Sequence, residues 1–262
     1  MQALRNTMLV SVGLAACVVW QGAAQTDFQW RGQLTSGQAL EIKGINGDVR
    51  ALPSSTTDAQ VTATKSANRS DPASVSVDVV PHGGGVTICA VYPSVPGQEP
   101  NRCEPGSESR SRVRDNDTQV RFEVHVPVGV KFIGRTVNGS VNGDALNGDA
   151  EGYTVNGSVK LSTTGLAFAS TVNGSLNLTM GRADWPSGAR FSTVNGGITL
   201  HLPGYLSADV HASTVNGDIT SDFPITFTGR VTRRNLNGTI GNGGPPLTLS
   251  TVNGGISLLK TP

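Results

Sequence analysis

Helical periodicity is missing from this sequence. After residue 25 no stretch repeats apolar residues at the three- and four-residue spacing of a helix face, which excludes a helical domain. Charge and aromatic rings are sparse as well, at 15% and 5% of 262 residues. The apolar run Met8–Trp20 holds 13 residues, short of the roughly 20 that a membrane-spanning helix needs. No Gly-x-Ser-x-Gly elbow and no phosphate-binding glycine loop occurs. His82, His125, His201 and His211 do not fall at metal-ligand spacing, so neither a metal nor a cofactor is expected.

The charge balance excludes further partners. The chain carries 20 Lys+Arg and 19 Asp+Glu, and Arg5 is the only charged side chain of residues 1–24, so losing that segment leaves 19 against 19. Without net charge there is no overall attraction for nucleic acid or an anionic membrane. Residues 1–24 read as an export signal: Arg5, the apolar run, then the small residues Gly22 and Ala24. A second reading stands beside it, since Leu14-Ala15-Ala16-Cys17 resembles a lipobox, which would make Cys17 a lipid anchor and the chain's one route to a membrane. Mature lipoproteins continue with polar residues, whereas Val18, Val19 and Trp20 follow here, so free secretion is preferred. Residues 25–262 are expected to form one domain. Its remaining cysteines, Cys89 and Cys103, are an even pair in an exported chain, and a disulfide between them is expected.

Glycine (33 residues), proline (14) and abundant Val, Thr and Ser indicate an all-β fold. Segments 59–67, 74–81 and 83–93 alternate apolar and polar residues as half-buried strands do. Residues 93–118 break the alternation with Pro, Ser and mixed charge, and are expected to form a surface loop tethered by the disulfide. A strand over 119–132 follows, and from 135 to 262 repeats take over. Apolar-Asn-Gly occurs ten times, with Asn at 46, 138, 142, 147, 156, 173, 195, 216, 237 and 253. The best-formed copies (Asn138-Gly139, Asn156-Gly157, Asn173-Gly174, Asn195-Gly196, Asn216-Gly217, Asn237-Gly238 and Asn253-Gly254) follow one another at 18, 17, 22, 21, 21 and 16 residues. Intervals near 20 residues signal an array of stacked units. Of the crowded copies at 138, 142 and 147, one must occupy a loop or a different corner.

Asn-Gly is also the strongest two-residue hairpin signal. In a hairpin, however, Val155 would pair with Ser158 and Val172 with Ser175, mixing apolar with polar on one face. Read as extended chain, Val155, Gly157, Val159 and Leu161 share a face, and so do Val194, Gly196, Ile198 and Leu200, with Thr and Asn opposite. The expectation is therefore one strand and one glycine corner per coil, stacked so that valines line the inside and Thr and Asn form rows outside, the amides bonding along the axis. A β-sandwich or prism of hairpins is the alternative.

The stretches "FQWRGQLTSGQALEIKGINGDV", "VRFEVHVPVGVKF" and the reiterated "TVNGSV", "TVNGGITLHLP" and "TVNGDI" resemble a family of exported bacterial adhesin-like, β-strand-repeat proteins of unknown function, over about Asp27 to Lys260. That resemblance implies a right-handed β-solenoid-like (β-helix) fold and a cell-surface or envelope role, with no catalytic motif and no established ligand.

Candidate chemistry is thin. Asp48, Asp144, Asp149 and Asp218 follow Asn-Gly in a slot that Ser, Gly or Thr fill elsewhere, which suits a corner better than paired catalytic carboxylates or a calcium turn. The basic clusters in 109–115 and 229–235 read as solvated loops. The sequence thus describes a non-enzymatic exported module, adhesin-like or structural, presenting a rigid Thr/Asn face to a glycan or other cell-surface component. A polysaccharide-active enzyme and a purely architectural envelope-stress protein are the alternatives.

Overall fold

The computed structural model describes residues 28–106, 111–227 and 232–261; the export-signal segment, with Cys17, and part of each basic cluster lie outside them. The described chain is all-β. Its strands are β1 (Phe28–Gln33), β2 (Ala39–Lys43), β3 (Val49–Pro53), β4 (Asp58–Ser66), β5 (Ser76–His82), β6 (Gly85–Val91), β7 (Gln119–Val126), β8 (Lys131–Arg135), β9 (Val141–Leu146), β10 (Ala150–Tyr153) and β11 (Val159–Thr163). They continue as β12 (Ala167–Ser170), β13 (Leu176–Met180), β14 (Ala189–Ser192), β15 (Ile198–Leu202), β16 (Ala208–Ser213), β17 (Ile219–Ser221), β18 (Ile225–Phe227), β19 (Asn235–Ile240), β20 (Pro246–Ser250) and β21 (Ile256–Lys260). One 3-10 turn, Pro72–Ser74, is the only helical element among the described residues.

The strands form two mixed sheets, ordered β1-β4-β7-β3-β9-β11-β13-β15-β21-β17 and β18-β19-β16-β20-β14-β12-β10-β8-β2-β6-β5. The centre of each is parallel; antiparallel strands sit at both ends of the second sheet and at the β1 end of the first, whose other end strand, β17, is parallel to β21. Seven units share one plan, a strand of the second sheet, an Asn-Gly corner, then a strand of the first: β2–β3, β8–β9, β10–β11, β12–β13, β14–β15, β20–β21 and β16–β17. Because the strands flanking each corner lie in different sheets, Asn-Gly is not the tip of a two-stranded ribbon here.

Alternation along the strands builds the interior. Across the first sheet Val49, Val141, Val159, Leu176, Ile198, Ile256 and Ile219 follow one another in register, an aliphatic row running through all seven units. The facing sheet answers with small residues, Gly134, Ala150, Gly152, Ala167 and Ala169, and with larger ones at Leu40, Phe132 and Phe191. Large side chains meeting small ones across the layer is how two sheets close without voids. The buried residues of both sheets make one continuous cluster.

Unit order in space departs from unit order in sequence. The last unit, β20–β21, inserts between β14–β15 and β16–β17: β21 pairs with β15 and β17, and β20 with β14 and β16. The expected equal stacking of all seven best-formed copies needs one further correction. Asn237 and Gly238 lie inside β19, antiparallel to β16, where Asn237 meets the His211 ring at 3.0 Å; the seventh rung is instead Asn46-Gly47. Of the crowded copies, Asn138 is at a corner, Asn142 lies within β9, and Asn147 in the turn to β10.

Candidate functional site: the Asn-Gly corner and the disulfide flap

Each corner begins with a buried threonine and then turns outward. Thr136, Thr154, Thr171, Thr193, Thr251 and Thr214 are all buried. Each donates its hydroxyl to the glycine carbonyl of the unit before it in the stack: to Gly47 at 3.0 Å, then to Gly139, Gly157, Gly174, Gly196 and Gly254 at 2.8 Å. The valine that follows is exposed, and here the expected strand parity fails. Val137, Val155, Val172, Val194 and Val252 keep 38–40% of their surface, and Val215 keeps 56%. The chain bends at the corner instead of running straight through it, so the side-chain alternation restarts after glycine, threonine takes the inward place and valine the outward one.

Asparagine forms the next row. Asn46, Asn138, Asn156, Asn173, Asn195, Asn253 and Asn216 bridge one to the next in parallel. Each amide after Asn46 donates Nδ2 to the Oδ1 of its predecessor at 2.7–2.8 Å. All six bonds point the same way, so the amide dipoles add. Glycine then admits the neighbouring backbone: a Cβ on Gly139, Gly157, Gly174, Gly196, Gly254 or Gly217 would lie 2.0–2.1 Å from the adjacent unit's glycine oxygen.

The result is a ridge of three parallel files, exposed valine, amide, and a Ser, Asp or Gly position, with six steps of about 4.8 Å each along the stack. The acids do not converge on it as a catalytic pair would. Asp48 accepts the Ser140 N–H at 2.7 Å, Asp149 accepts that of Leu166 at 2.9 Å, and Asp144 lies 3.8 Å from Arg50. Among the described residues no three His, Cys, Asp or Glu side chains group as metal ligands.

Threonine two residues before asparagine is the signal that separates ladder copies from look-alikes. Thr-Val-Asn-Gly occurs at six of the seven rungs, whereas Asn142, Asn147 and Asn237 have Ser140, Ala145 and Asn235 in the threonine place. The seventh rung has Gly44 there because it has no glycine carbonyl below it to receive a hydroxyl. Beyond that rung the stack continues as β6–β7, whose corner is the long segment 92–118.

That segment is clasped at both ends. Cys89 and Cys103 form a disulfide with Cα atoms 5.5 Å apart. The Tyr92 hydroxyl donates to the Thr118 carbonyl at 2.7 Å. Burial pushes the Tyr92 phenol up, opposed by hydrogen bonding with Asn46. Beneath the flap lies a buried charge cluster that has no signature in the sequence. The Glu41 carboxylate, 3% exposed as a residue, accepts Arg135 Nε at 2.9 Å, Thr87 Oγ1 at 2.9 Å and the Gly106 N–H at 3.0 Å. Lys43 donates to the carbonyls of Glu104 and Gly106. Burial draws the Lys43 ammonium below its usual range, with Glu41 opposing. The Arg135 guanidinium also stacks 4.2 Å above the Tyr153 ring.

Two facing sheets of mostly parallel strands, joined by a repeated amide corner, define the class. The profile of the Toastrack DUF4097 family matches residues 23–259, and the chain belongs to that family. No curated protein matches the chain. Among solved structures, it is similar to a "putative cell adhesion protein" from Clostridium sporogenes ATCC 15579, at 7% identity and TM-score 0.45, over 89% of this chain and 99% of that one. It is also similar to a "putative adhesin" from Bacteroides fragilis NCTC 9343, at 13% identity and TM-score 0.36, over 89% and 96%. Among the described residues no helix is long and apolar enough to cross a membrane.

Proposed function

We propose that this chain is an exported, non-enzymatic, adhesin-like module: a right-handed β-solenoid-like tower that offers its amide corner to a repetitive surface glycan. The seven consecutive Asn-Gly corners support the tower, and right-handedness is the general rule for parallel crossovers. One observation carries the binding reading. Six valines of one file stay exposed beside a row of amides whose positions are fixed by hydrogen bonds at every step. Exposed apolar surface in a continuous line marks a contact site more often than scattered residues do, and the fixed repeat suits a ligand that itself repeats. Export through residues 1–24 belongs to the same proposal, with acylation at Cys17 as the variant that would tether the module.

The test is binding of the mature chain to immobilised polysaccharides, followed by release of reducing ends. Saturable retention without release, weakened in a Val155→Lys/Val172→Lys variant that melts as the parent does, is the expected outcome. Release of reducing ends that an acidic-residue substitution abolishes would establish an enzyme instead. Retention that is indifferent to the two lysines would remove the corner from the binding surface.

A further inference from the structure

The insertion of β20 between β14 and β16 has a second product, away from the amide corner. Three connectors converge where these strands begin: 181–188 leading into β14, 203–207 leading into β16, and 241–245 leading into β20. The return from β11 to β12, by contrast, spans only 164–166. The three connectors border an open cleft of about 460 Å³, with Asp184, Trp185, Pro186, Tyr205 and Pro245 among its lining residues. Small-molecule sites run from roughly 300 to 1,000 Å³ and combine apolar walls with a few placed polar groups.

We propose that this cleft binds a neutral pyranose sugar, stacked on Tyr205. Three features define that ligand. Tyr205 is 68% exposed, and its hydroxyl donates to the Gly181 carbonyl at 3.1 Å, which holds the ring in place with a face open. The C–H face of a pyranose is electropositive and apolar, complementary to the negative face of an aromatic ring. Trp185 is 1% exposed, packs edge-on against Phe191 at 6.5 Å between centroids, and carries an Nε1–H with no hydrogen-bond partner. A buried donor without an acceptor is uncommon and costly, and Trp185 is one of the residues lining the cleft, so a sugar hydroxyl seated against it would supply the acceptor. Asp184 is doubly bonded by Arg182, at 3.0 and 2.8 Å. That pair cancels its own charge and leaves planar donors and acceptors for vicinal hydroxyls, which favours a ligand without charge.

The test is calorimetric titration of the mature chain with the methyl glycosides of glucose, galactose, mannose and N-acetylglucosamine, and with glucuronic acid and glucosamine as charged counterparts. At least one neutral glycoside is expected to bind with a millimolar constant. Tyr205→Ala should weaken it about tenfold, in line with the loss of one aromatic contact, and Trp185→Phe should weaken it less. The Val155→Lys/Val172→Lys variant should leave it unchanged, so failure of the cleft and failure of the corner read out separately. Saturation by the charged sugars alone, no saturation by any neutral glycoside, or affinity unmoved by Tyr205→Ala would overturn the assignment.

Discussion

Gly196 and Gly197 stand side by side in one corner, and replacing each with alanine should give opposite results. Neither has a positive φ, so backbone conformation does not separate them. Space does. A Cβ on Gly196 would lie 2.0 Å from the Gly174 oxygen, 2.5 Å from its carbonyl carbon and 2.9 Å from the Ser175 nitrogen, all backbone atoms; a Cβ on Gly197 would meet nothing closer than the Gly255 oxygen, at 3.2 Å. Relieving the first clash requires adjacent units to separate by about 1 Å, which takes hydrogen bonds near 2.8 Å out of range. Four of the bonds across that step lie at the clash itself: Gly174 N–H to Asn195 O at 2.9 Å, Asn195 N–H to Val172 O at 2.8 Å, Thr193 Oγ1 to Gly174 O at 2.8 Å and Asn195 Nδ2 to Asn173 Oδ1 at 2.7 Å. At about 0.5–1.5 kcal/mol each the loss is about 4 kcal/mol, or a fall in Tm of roughly 8–16 °C for a domain of this size. Gly197→Ala needs a shift of a few tenths of an ångström and restricts the unfolded chain, which contributes about 0.4–1 kcal/mol in its favour. Its Tm should therefore stay within about 3 °C of the parent. Thermal unfolding followed by circular dichroism decides the matter, and two variants that melt together would refute the idea that close approach between units is what demands glycine.

Position along the amide row should also show in stability. Asn173 both donates and accepts, whereas Asn216 donates to Asn253 at one end, so Asn173→Ala should cost about 1–2 kcal/mol and Asn216→Ala about half that, read from urea midpoints. Equal costs would mean the amides do not act as a chain. Acid should loosen the clasp beside the flap: Asp117 accepts the Ser70, Arg69 and Asn68 N–H groups, and these bonds hold its carboxyl at about 2, below its usual 3.8. A carboxyl lowered on folding stabilises the folded state above its unfolded value and loses that contribution as pH falls through the folded one. The Ser70 amide shift should then titrate near pH 2 in the parent and not at all in Asp117→Asn; a midpoint near the usual 3.8 would show the clasp to be unformed.

Much of this architecture was written in the chain at short range. The Asn-Gly recurrence, the period-two alternation of Leu176, Leu178 and Met180 against Asn177 and Thr179, and the break over 93–118 each report local requirements that one segment meets by itself. Three features were not legible, for one shared reason. The inward threonine depends on a bend whose partner, a glycine carbonyl, belongs to the unit before it in the stack. Asn237 fails to join the row because β19 runs antiparallel to β16, a choice made by long-range pairing. The Glu41, Lys43 and Arg135 cluster forms only when β2 and β8 lie side by side under the flap. Thr-Val-Asn-Gly against plain apolar-Asn-Gly was nonetheless present as a discriminating pattern, since a hydroxyl is useful only where a lower unit offers a carbonyl.

Why the last unit should insert, instead of extending the stack, can be argued from cost and return. The three rungs from Asn138 to Asn195 close loops of 17–22 residues, whereas joining Asn253 to Asn195 closes one of 58. Loop entropy grows only logarithmically, so the longer closure adds about 1 kcal/mol over the shortest of these. The return is a terminal strand, β21, paired on both sides, which a terminal position at the stack's edge would have left with one bare side. Bare edges are where a self-complementary repeat recruits further copies. The first sheet instead ends on β17, three residues long, and the second on the antiparallel β18 and β19, which form no corner between the sheets; at the other end segment 92–118 replaces it. Small entropic loss against removal of a templating edge favours insertion. The same crossing of chain order brings the connectors before β14, β16 and β20 together, so the cleft beside Tyr205 exists because the array is closed in this way and not by simple addition.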